Sequence, residues 1–277
     1  MTAVTLVHLS DLHFGRDVDL RQVDAIAELV PSLSPDAIVV SGDLTQRARH
    51  GEFQAALAWL ARLRRTAPVL VTPGNHDVQY WQSPLHLRGP RPLYAKWRRY
   101  FGEELAPSLE LPGALLCAML SSHGMALRSF TWKPNILTAV PGHLTAAEFA
   151  RVRARFDAAP AGAARVVVLH HNVLRGEISR RMGLAWWKQA AARMVALAPD
   201  VILYGHDHQE AATQLEGRIA VSAAGTHTSR TRGKRPSAFN EVTITADAVT
   251  IAHHRWDAAR GAFARGDAVR LPRPPRT

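Results

Sequence analysis

Short apolar runs alternate with longer amphipathic segments along most of the chain. The apolar runs are nearly continuous, as in strands that are buried on both faces of a sheet. They comprise residues 4–9, 37–41, 68–72, 114–120, 165–170 and 201–205. Segments with helical spacing lie between them, at residues 20–30, 52–65, 145–156 and 186–197. This alternation predicts βα units packed on a central sheet.

The pattern changes after residue 210. Short alternating segments at residues 217–225, 240–246 and 248–256 have no helical segment between them, which predicts an antiparallel sheet that closes the domain. We expect one domain over residues 1–268 and a flexible tail, rich in proline and arginine, over residues 269–277.

Two segments rich in aromatic residues and arginine interrupt the alternation, at residues 79–113 and 175–188. Long side chains of this kind can cover a sheet while their charged ends remain in water. The segments are therefore either helices that pack over the sheet or a cap that lines a substrate cleft.

Composition limits the partners and the compartment. The formal net charge is +11, and 30 of the 34 basic residues are arginine, which favours an anionic substrate. Nucleic acid is a less favoured partner, because no basic run is interleaved with aromatic residues as in a nucleic-acid-binding module. The single cysteine excludes an intramolecular disulfide. No basic leader and no run of about 18 apolar residues is present, so we expect a cytoplasmic protein without a transmembrane segment.

Residues that can bind metals follow five of the predicted strands where each strand ends. They are Asp11 and His13, Asp43, then Asn75, His76 and Asp77, then His170 and His171, and finally His206 and His208. If the strand geometry continued through the last motif, His206 and His208 would point to the same side. Such convergence predicts a metal site at one edge of the sheet.

The number and type of donors predict two ions. Seven donors are too many for one tetrahedral ion and sufficient for two if a carboxylate bridges them. They are Asp11, His13, Asp43, Asn75, His170, His206 and His208. Carboxylate, imidazole and carboxamide donors without a thiolate suit divalent or mixed-valence transition metal ions such as manganese, iron or zinc. Paired ions of this kind promote the hydrolysis of phosphate esters.

The motifs DLH, GD, GNHD, HH and GHDH, in this order between Asp11 and His208, resemble the signature of the calcineurin-like metallophosphoesterase superfamily. The resemblance implies an α/β fold, namely a four-layer α-β-β-α sandwich with two central mixed sheets flanked by helices. It also implies that Asp43 bridges two ions. The implied ligands of one ion are Asp11, His13 and His208, and those of the other are Asn75, His170 and His206.

The same resemblance implies how the site would act. His76 matches a histidine that is not a ligand, contacts the phosphate and can protonate the leaving oxygen, and we expect the adjacent Asp77 to orient its imidazole. In the expected reaction, a metal-bridging hydroxide attacks phosphorus in line while His76 assists departure of the alkoxide.

The substrate is less closely defined. The complete GNHD and GHDH motifs resemble those of bacterial class III cyclic nucleotide phosphodiesterases, so we expect a phosphorylated small molecule, and specifically a phosphodiester such as a cyclic nucleotide. The alternatives are a pyrophosphate hydrolase of the UDP-diacylglucosamine type, a nuclease, and a non-catalytic scaffold with the same fold. Activity assays with different phosphate esters would separate them.

Residues beside the motifs are candidates for contact with the substrate. They are Arg16, Arg47, His123, His171 and Asn172. His170, which closes its strand, is a better ligand candidate than His171, because adjacent side chains diverge. His8 lies within the first predicted strand and is expected to be a hydrogen-bonded core histidine.

Overall fold

The computed structural model describes residues 2–78, 93–123, 141–228 and 231–274. Within these residues the chain forms two six-stranded sheets. The first contains β1 (Val4–Leu9), β2 (Ala37–Val40), β3 (Val69–Val71), β10 (Ala238–Ile244), β11 (Ala248–Asp257) and β12 (Ala262–Pro272). The second contains β4 (Ser108–Leu111), β5 (Ala114–Ala118), β6 (Ala164–Val168), β7 (Val201–Tyr204), β8 (Ala211–Leu215) and β9 (Ile219–Ala223).

Both sheets are mixed. The first has the order β12-β11-β10-β1-β2-β3, in which β1, β2 and β3 are parallel and β10 runs antiparallel to β1. The second has the order β4-β5-β6-β7-β9-β8, with β5, β6, β7 and β9 parallel and an antiparallel strand at each edge. Parallel strands bring their carboxyl ends to the same edge, which is where the candidate ligands follow.

The described helices pack outside the two sheets. Helices α1 (Leu20–Leu33), α2 (His50–Leu63) and α3 (Ala95–Phe101) cover the first sheet. Helices α4 (Ala146–Asp157) and α5 (Trp187–Leu197) cover the second. The Thr145 hydroxyl caps α4 by accepting a hydrogen bond from the Glu148 amide at 3.2 Å.

Alternation along β1 shows why four layers form. Leu6 packs against residues of the second sheet, whereas Val7 and Leu9 pack against the helices that cover the first. A third apolar cluster joins the second sheet to α4 and α5, through residues such as Val152 and Met194. The four-layer α-β-β-α sandwich is therefore confirmed.

The expectation of one central sheet and a separate closing sheet is wrong. The predicted parallel strands are divided between the two sheets, and of the late strands, β9 pairs in parallel with β7 while β10 and β11 join β1. Local alternation cannot reveal such pairing, because it depends on contacts between residues far apart in the chain.

The expected flexible tail is corrected in part. Residues 269–272 complete β12, where Leu271 pairs with Val249. Beyond them, the Arg273 guanidinium lies 2.9 Å from the Asp200 carboxylate, and both side chains are buried. Strand pairing and this ion pair fix a segment whose proline and arginine content indicated fraying. Residues 275–277 lie outside the described residues.

The proposed cap remains a prediction. Residues 79–92 lie outside the described residues, and those that follow form α3, whose Trp97 and Phe101 pack against Phe53 of α2. In the other segment, residues 175–188, the side chain of Trp186 is 59% exposed. Among the described helices, none is both long enough and apolar enough to cross a membrane.

Candidate metal centre

The candidate ligands lie on tight turns immediately after the strands. Five of them have left-handed backbone conformations, with φ between 48° and 70°, and they are Asp11, His13, Asp43, His206 and His208. Non-glycine residues rarely adopt this conformation, and it is concentrated at functional sites. The premise that strand geometry continues through His206 and His208 is therefore wrong, since β7 ends at Tyr204.

Asp11, His13 and His208 form one group of donors. The Nε2 atoms of His13 and His208 are 3.0 Å apart. Oδ1 of Asp11 lies 3.2 Å from Nε2 of His208 and 3.6 Å from Nε2 of His13. The three residues come from the loops after β1 and β7, so this group joins the two sheets.

Asn75, His170 and His206 form a second group. Oδ1 of Asn75 lies 3.0 Å from Nε2 of His170 and 3.0 Å from Nδ1 of His206, and these two nitrogens are 3.3 Å apart. Asp43 lies between the groups, with Oδ2 at 3.3 Å from Nε2 of His170 and at 3.7 Å from Nε2 of His13. This is the spacing that a bridging carboxylate would need.

The donor set fits cations. Oδ1 of Asp11 is buried and has no hydrogen-bond partner among the described residues. The imidazole nitrogens of His13 and His208 face each other at 3.0 Å, where at most one of them can donate a hydrogen bond. A cation would satisfy both lone pairs and the carboxylate oxygen. The residues present could therefore hold two metal ions, and their roles as ligands remain a prediction.

The electrostatics of the buried groups agree with this fit. Burial would raise the pKa of Asp11, but the His208 imidazole holds it well below its usual range. Burial acts in the same way on Asp43, whose pKa is lowered by His170. Burial would lower the pKa of His170, but Asp43 raises it to about 9, while burial lowers the pKa of His206 to about 3. Two ionised carboxylates thus give this edge negative charge, and a cation that bound here would replace the proton on His170.

His76 lies beside Asp43 and the first group. Its ring makes an edge contact with that of His13, with centroids 4.8 Å apart, and its backbone amide donates to Oδ1 of Asp43 at 2.8 Å. Nδ1 lies 2.7 Å from the carbonyl oxygen of Gln46. Because that oxygen can only accept, Nδ1 carries the proton, and proton exchange with a substrate would take place at Nε2.

Asp77 has a different task from the expected one. Its carboxylate accepts hydrogen bonds from the amides of Leu44, Thr45 and Gly74, at 3.1, 2.7 and 2.9 Å. The group that orients the imidazole of His76 is instead the Gln46 carbonyl. Burial and the charge of Asp43 raise the pKa of Asp77 to about 7. Asp77 therefore ties the loop after β2 to the loop after β3.

The candidate substrate contacts fall into different environments. Arg16 and Arg47 are exposed and line a cavity together with Gln46. Nδ1 of His171 lies 2.9 Å from the Ser121 hydroxyl, and its ring packs against that of His206 with centroids 4.5 Å apart. His123 packs against His143, with ring centroids 4.1 Å apart.

The Asn172 side chain closes a loop. Its amide group donates to the carbonyl oxygens of Leu174 and Arg181, at 2.6 and 3.1 Å. A contact of this residue with the substrate stays a prediction.

Comparison with known proteins places this site in a family. A model of the calcineurin-like phosphoesterases matches residues 4–210. The chain belongs to this family.

Among solved structures, a dimetal phosphatase from Danio rerio superposes on this family member with a TM-score of 0.65 at 14% identity, covering 98% of this chain and 99% of that one. A purple acid phosphatase from yellow lupin gives 0.66 at 11% identity, over 98% and 54% of the two chains. At these identities the likeness establishes the fold alone, and that fold is the one on which dimetal phosphatases are built.

Curated relatives match only segments of this calcineurin-like phosphoesterase. A glycerophosphodiester phosphodiesterase of Enterobacter lignolyticus is 39% identical over 82 residues, which are 26% of this chain and 29% of the relative. A "transmembrane protein with metallophosphoesterase domain" of Danio rerio is 29% identical over 109 residues, 38% of this chain and 25% of the relative. The chain thus spans less than a third of the length of either relative.

The sequence did not reveal a chain of buried polar groups behind the ligands of this family member. Nδ1 of His170 lies 2.9 Å from the carbonyl oxygen of Ser41, and the Ser41 hydroxyl lies 3.0 Å from Nε2 of His8. Nδ1 of His8 lies 3.0 Å from the hydroxyl of Ser222 on the second sheet. The core role expected for His8 is confirmed, and a polar residue inside an apolar strand was the available signal.

Proposed function

We propose that the chain is a phosphoesterase that depends on two metal ions and hydrolyses a phosphodiester. The observation that carries the proposal is the convergence of two carboxylates, one carboxamide and four imidazoles at the common edge of the two sheets. Bound transition metal ions would supply Lewis acidity toward the phosphoryl oxygens and lower the pKa of bound water. Manganese, iron and zinc all suit these donors.

The residues of the chain would bind the ions, donate the proton and position the loops. Asp43 would bridge the ions, and the other six candidate ligands would hold them three apiece. His76 would donate a proton from Nε2 to the departing oxygen, while the Gln46 carbonyl keeps Nδ1 protonated and the ring in place. Asp77 would act as a positioning residue, because it fixes the loops that carry Asp43 and Asn75.

A diester is favoured over other phosphate esters by the segment shared with a glycerophosphodiester phosphodiesterase and by the motifs that resemble those of cyclic nucleotide phosphodiesterases. A cyclic nucleotide is the narrower form of the proposal. The substrate would be a small phosphorylated molecule, and a cytoplasmic location stays a prediction.

The test combines metal content with activity. We expect the purified chain to bind about two transition metal ions and to hydrolyse bis(4-nitrophenyl) phosphate faster than 4-nitrophenyl phosphate. Asp43→Asn should reduce metal content and activity together. His76→Ala should keep the metal and lower kcat by about 10²- to 10⁴-fold.

A matched control separates the loss of a ligand from the loss of any buried histidine. His254 lies on β11, 2.9 Å from Glu241 and outside the candidate centre, so His254→Gln should retain metal and activity. A chain that binds no transition metal, or a His76→Ala variant as active as the unaltered chain, would refute the mechanism. Cyclic nucleotides, UDP-sugars and DNA assayed in parallel would identify the substrate class.

A further inference from the structure

A cavity of about 340 Å³ lies between the loop after β1 and the start of α2. Its lining residues are Arg16, Asp17, Gln46, Arg47, Arg49 and Glu52. The volume is within the range of small-molecule sites, about 300–1,000 Å³. The candidate ligands contribute nothing to this lining, so the cavity is a separate compartment next to the metal centre.

The cavity is positively charged. The guanidinium groups of Arg16, Arg47 and Arg49 are exposed, and none of the three forms an ion pair within the described part of the chain. Glu52 is buried, and its carboxylate accepts hydrogen bonds from the amides of Arg47 and Arg49 at 2.8 and 3.2 Å. These two hydrogen bonds from the backbone stabilise the charge of Glu52. Asp17 is the other acidic residue that lines the cavity.

The loops are packed so that this arrangement is fixed. A Cβ atom at Gly15 would lie 3.0 Å from the Cβ of Gln46 and 3.1 Å from Oε1 of Glu52. With φ at 148°, Gly15 also has a backbone conformation that other residues rarely adopt. The absence of a side chain there lets the loop after β1 reach Gln46 and Glu52, which places Arg16 over the cavity.

A second, independent observation points to a ligand. Gln46 lines the cavity, is only 6% exposed, and its Oε1 atom has no hydrogen-bond partner among the described residues. A buried amide without a partner is costly, so such groups are concentrated where a ligand or water completes them.

The backbone of Gln46 connects the cavity to the reaction. Its carbonyl oxygen holds Nδ1 of His76, the residue that would protonate the leaving oxygen. The leaving group would accept its proton from Nε2, on the opposite edge of the ring from Nδ1, so Gln46 and the cavity that it lines lie about one imidazole ring away from the scissile bond.

We propose that this cavity binds a second phosphate of the substrate, so that the preferred substrate is a phosphodiester that carries a further phosphate group. The inference rests on the proposed function, because it requires the first phosphate to bind at the candidate metal centre. Guanidinium groups suit this task, since each can form paired hydrogen bonds with phosphate oxygens.

The experiment compares two probes that differ by one phosphate. Adenosine 3′,5′-bisphosphate and adenosine 5′-monophosphate are tested as competitive inhibitors of bis(4-nitrophenyl) phosphate hydrolysis by the metal-loaded chain. The bisphosphate should inhibit at least about tenfold more tightly, and 0.5 M NaCl should shrink the difference by screening. Arg16→Gln, Arg47→Gln and Arg49→Gln should each reduce the difference by about threefold or more.

Arg64→Gln is the matched control. Arg64 is exposed at the opposite end of α2 from Arg49, so this substitution removes the same charge from the helix without touching the cavity. It should leave the preference for the bisphosphate unchanged. Equal inhibition by the two nucleotides, or a preference that survives all three cavity substitutions, would overturn the proposal.

Direct binding separates this proposal from the proposed function. Equilibrium dialysis of both nucleotides against the full chain after chelator treatment reports on the arginines without catalysis. A chain that hydrolyses no phosphate ester but still prefers the bisphosphate, and loses the preference in the arginine variants, has the anion site without the activity. A chain that hydrolyses diesters and shows no preference in either assay has the activity without the anion site.

Discussion

The Asp77 carboxylate accepts hydrogen bonds from both the backbone amide and the hydroxyl group of Thr45, at 2.7 and 2.9 Å. In the Asp77→Asn variant, the side-chain NH₂ group can only donate hydrogen bonds, and it would lie opposite amide and hydroxyl groups that are also donors. At least one buried hydrogen bond would be lost, which should lower the free energy of unfolding by about 1–3 kcal/mol. We also expect weaker metal binding, because the loops that carry Asp43 and Asn75 would loosen. Urea denaturation and metal titration would measure both effects.

The exposed Asp247 provides the control for this substitution, since Asp247→Asn should change neither quantity. The alternative role for Asp77 makes a different prediction. If the carboxylate acted through the His76 imidazole, the variant would keep its stability and metal affinity and would show an altered pH profile of kcat. That result would contradict the positioning role.

Residue 74 is glycine because its backbone lies too close to Asp43 for a side chain to fit. A Cβ atom at residue 74 would lie 2.1 Å from Oδ1 of Asp43 and 2.3 Å from its backbone nitrogen. Gly74→Ala should therefore displace the Asp43 carboxylate and reduce metal binding and activity together. Gly51→Ala is the control, because nothing lies within 4 Å of a Cβ atom there and alanine is the better helix former. Metal binding by Gly74→Ala equal to that of Gly51→Ala would show that the contact is relieved at no cost.

His8 should make the fold sensitive to acid. Burial lowers its pKa to about 3, against the opposing influence of Asp11. Below pH 6.5 the unfolded chain therefore takes up a proton that the folded chain does not, so stability falls as the pH drops from about 6.5 toward 3. The contribution of one group is at most about 1.4 kcal/mol per pH unit.

The measurement is urea denaturation of the metal-free chain and of His8→Asn between pH 6.5 and 4.5. The variant should be less stable at pH 6.5, because its contacts with Ser41 and Ser222 are disrupted, but its stability should fall less steeply on acidification. Parallel pH dependences for the two proteins would contradict the assignment to His8.

The ion pair between Arg273 and Asp200 should stabilise the fold without affecting catalysis. Both side chains are nearly buried, and Asp200 also accepts a hydrogen bond from the Arg165 amide at 2.7 Å. Arg273→Ala should lower the free energy of unfolding by about 1–3 kcal/mol and leave kcat unchanged. Arg260→Ala, in an exposed pair with Asp257, should change stability by less than about 1 kcal/mol. If Arg273→Ala left the free energy of unfolding unchanged, strand pairing alone would hold this segment.

The sequence predicted which residues come together, because each candidate ligand directly follows an apolar strand and parallel strands end at one edge. It did not predict how they reach one another. His206 and His208 were expected to share a face of an extended strand, whereas the structure places both on a turn with left-handed backbone conformations. Local spacing carries no information about such conformations in residues other than glycine.

Contacts between distant segments were also beyond the sequence. Asp77 was expected to orient His76, and Glu52 only began a segment with helical spacing, yet each accepts hydrogen bonds from backbone amides of a loop. The division of strands between two sheets had the same cause. Apolar runs showed which segments are buried but not which of them pair.

The pairing of β1 with β10, in which Val4 lies opposite Ile244, has a consequence for how the protein folds. This strand, which leads into the turn that carries Asp11, is hydrogen-bonded on one side by a segment that leaves the ribosome more than 200 residues later. Such distant pairing slows folding, because a long loop must close before the contact forms. The first half of the signature motif is therefore synthesised long before its sheet can be completed, and assembly of the centre should be among the last events of folding.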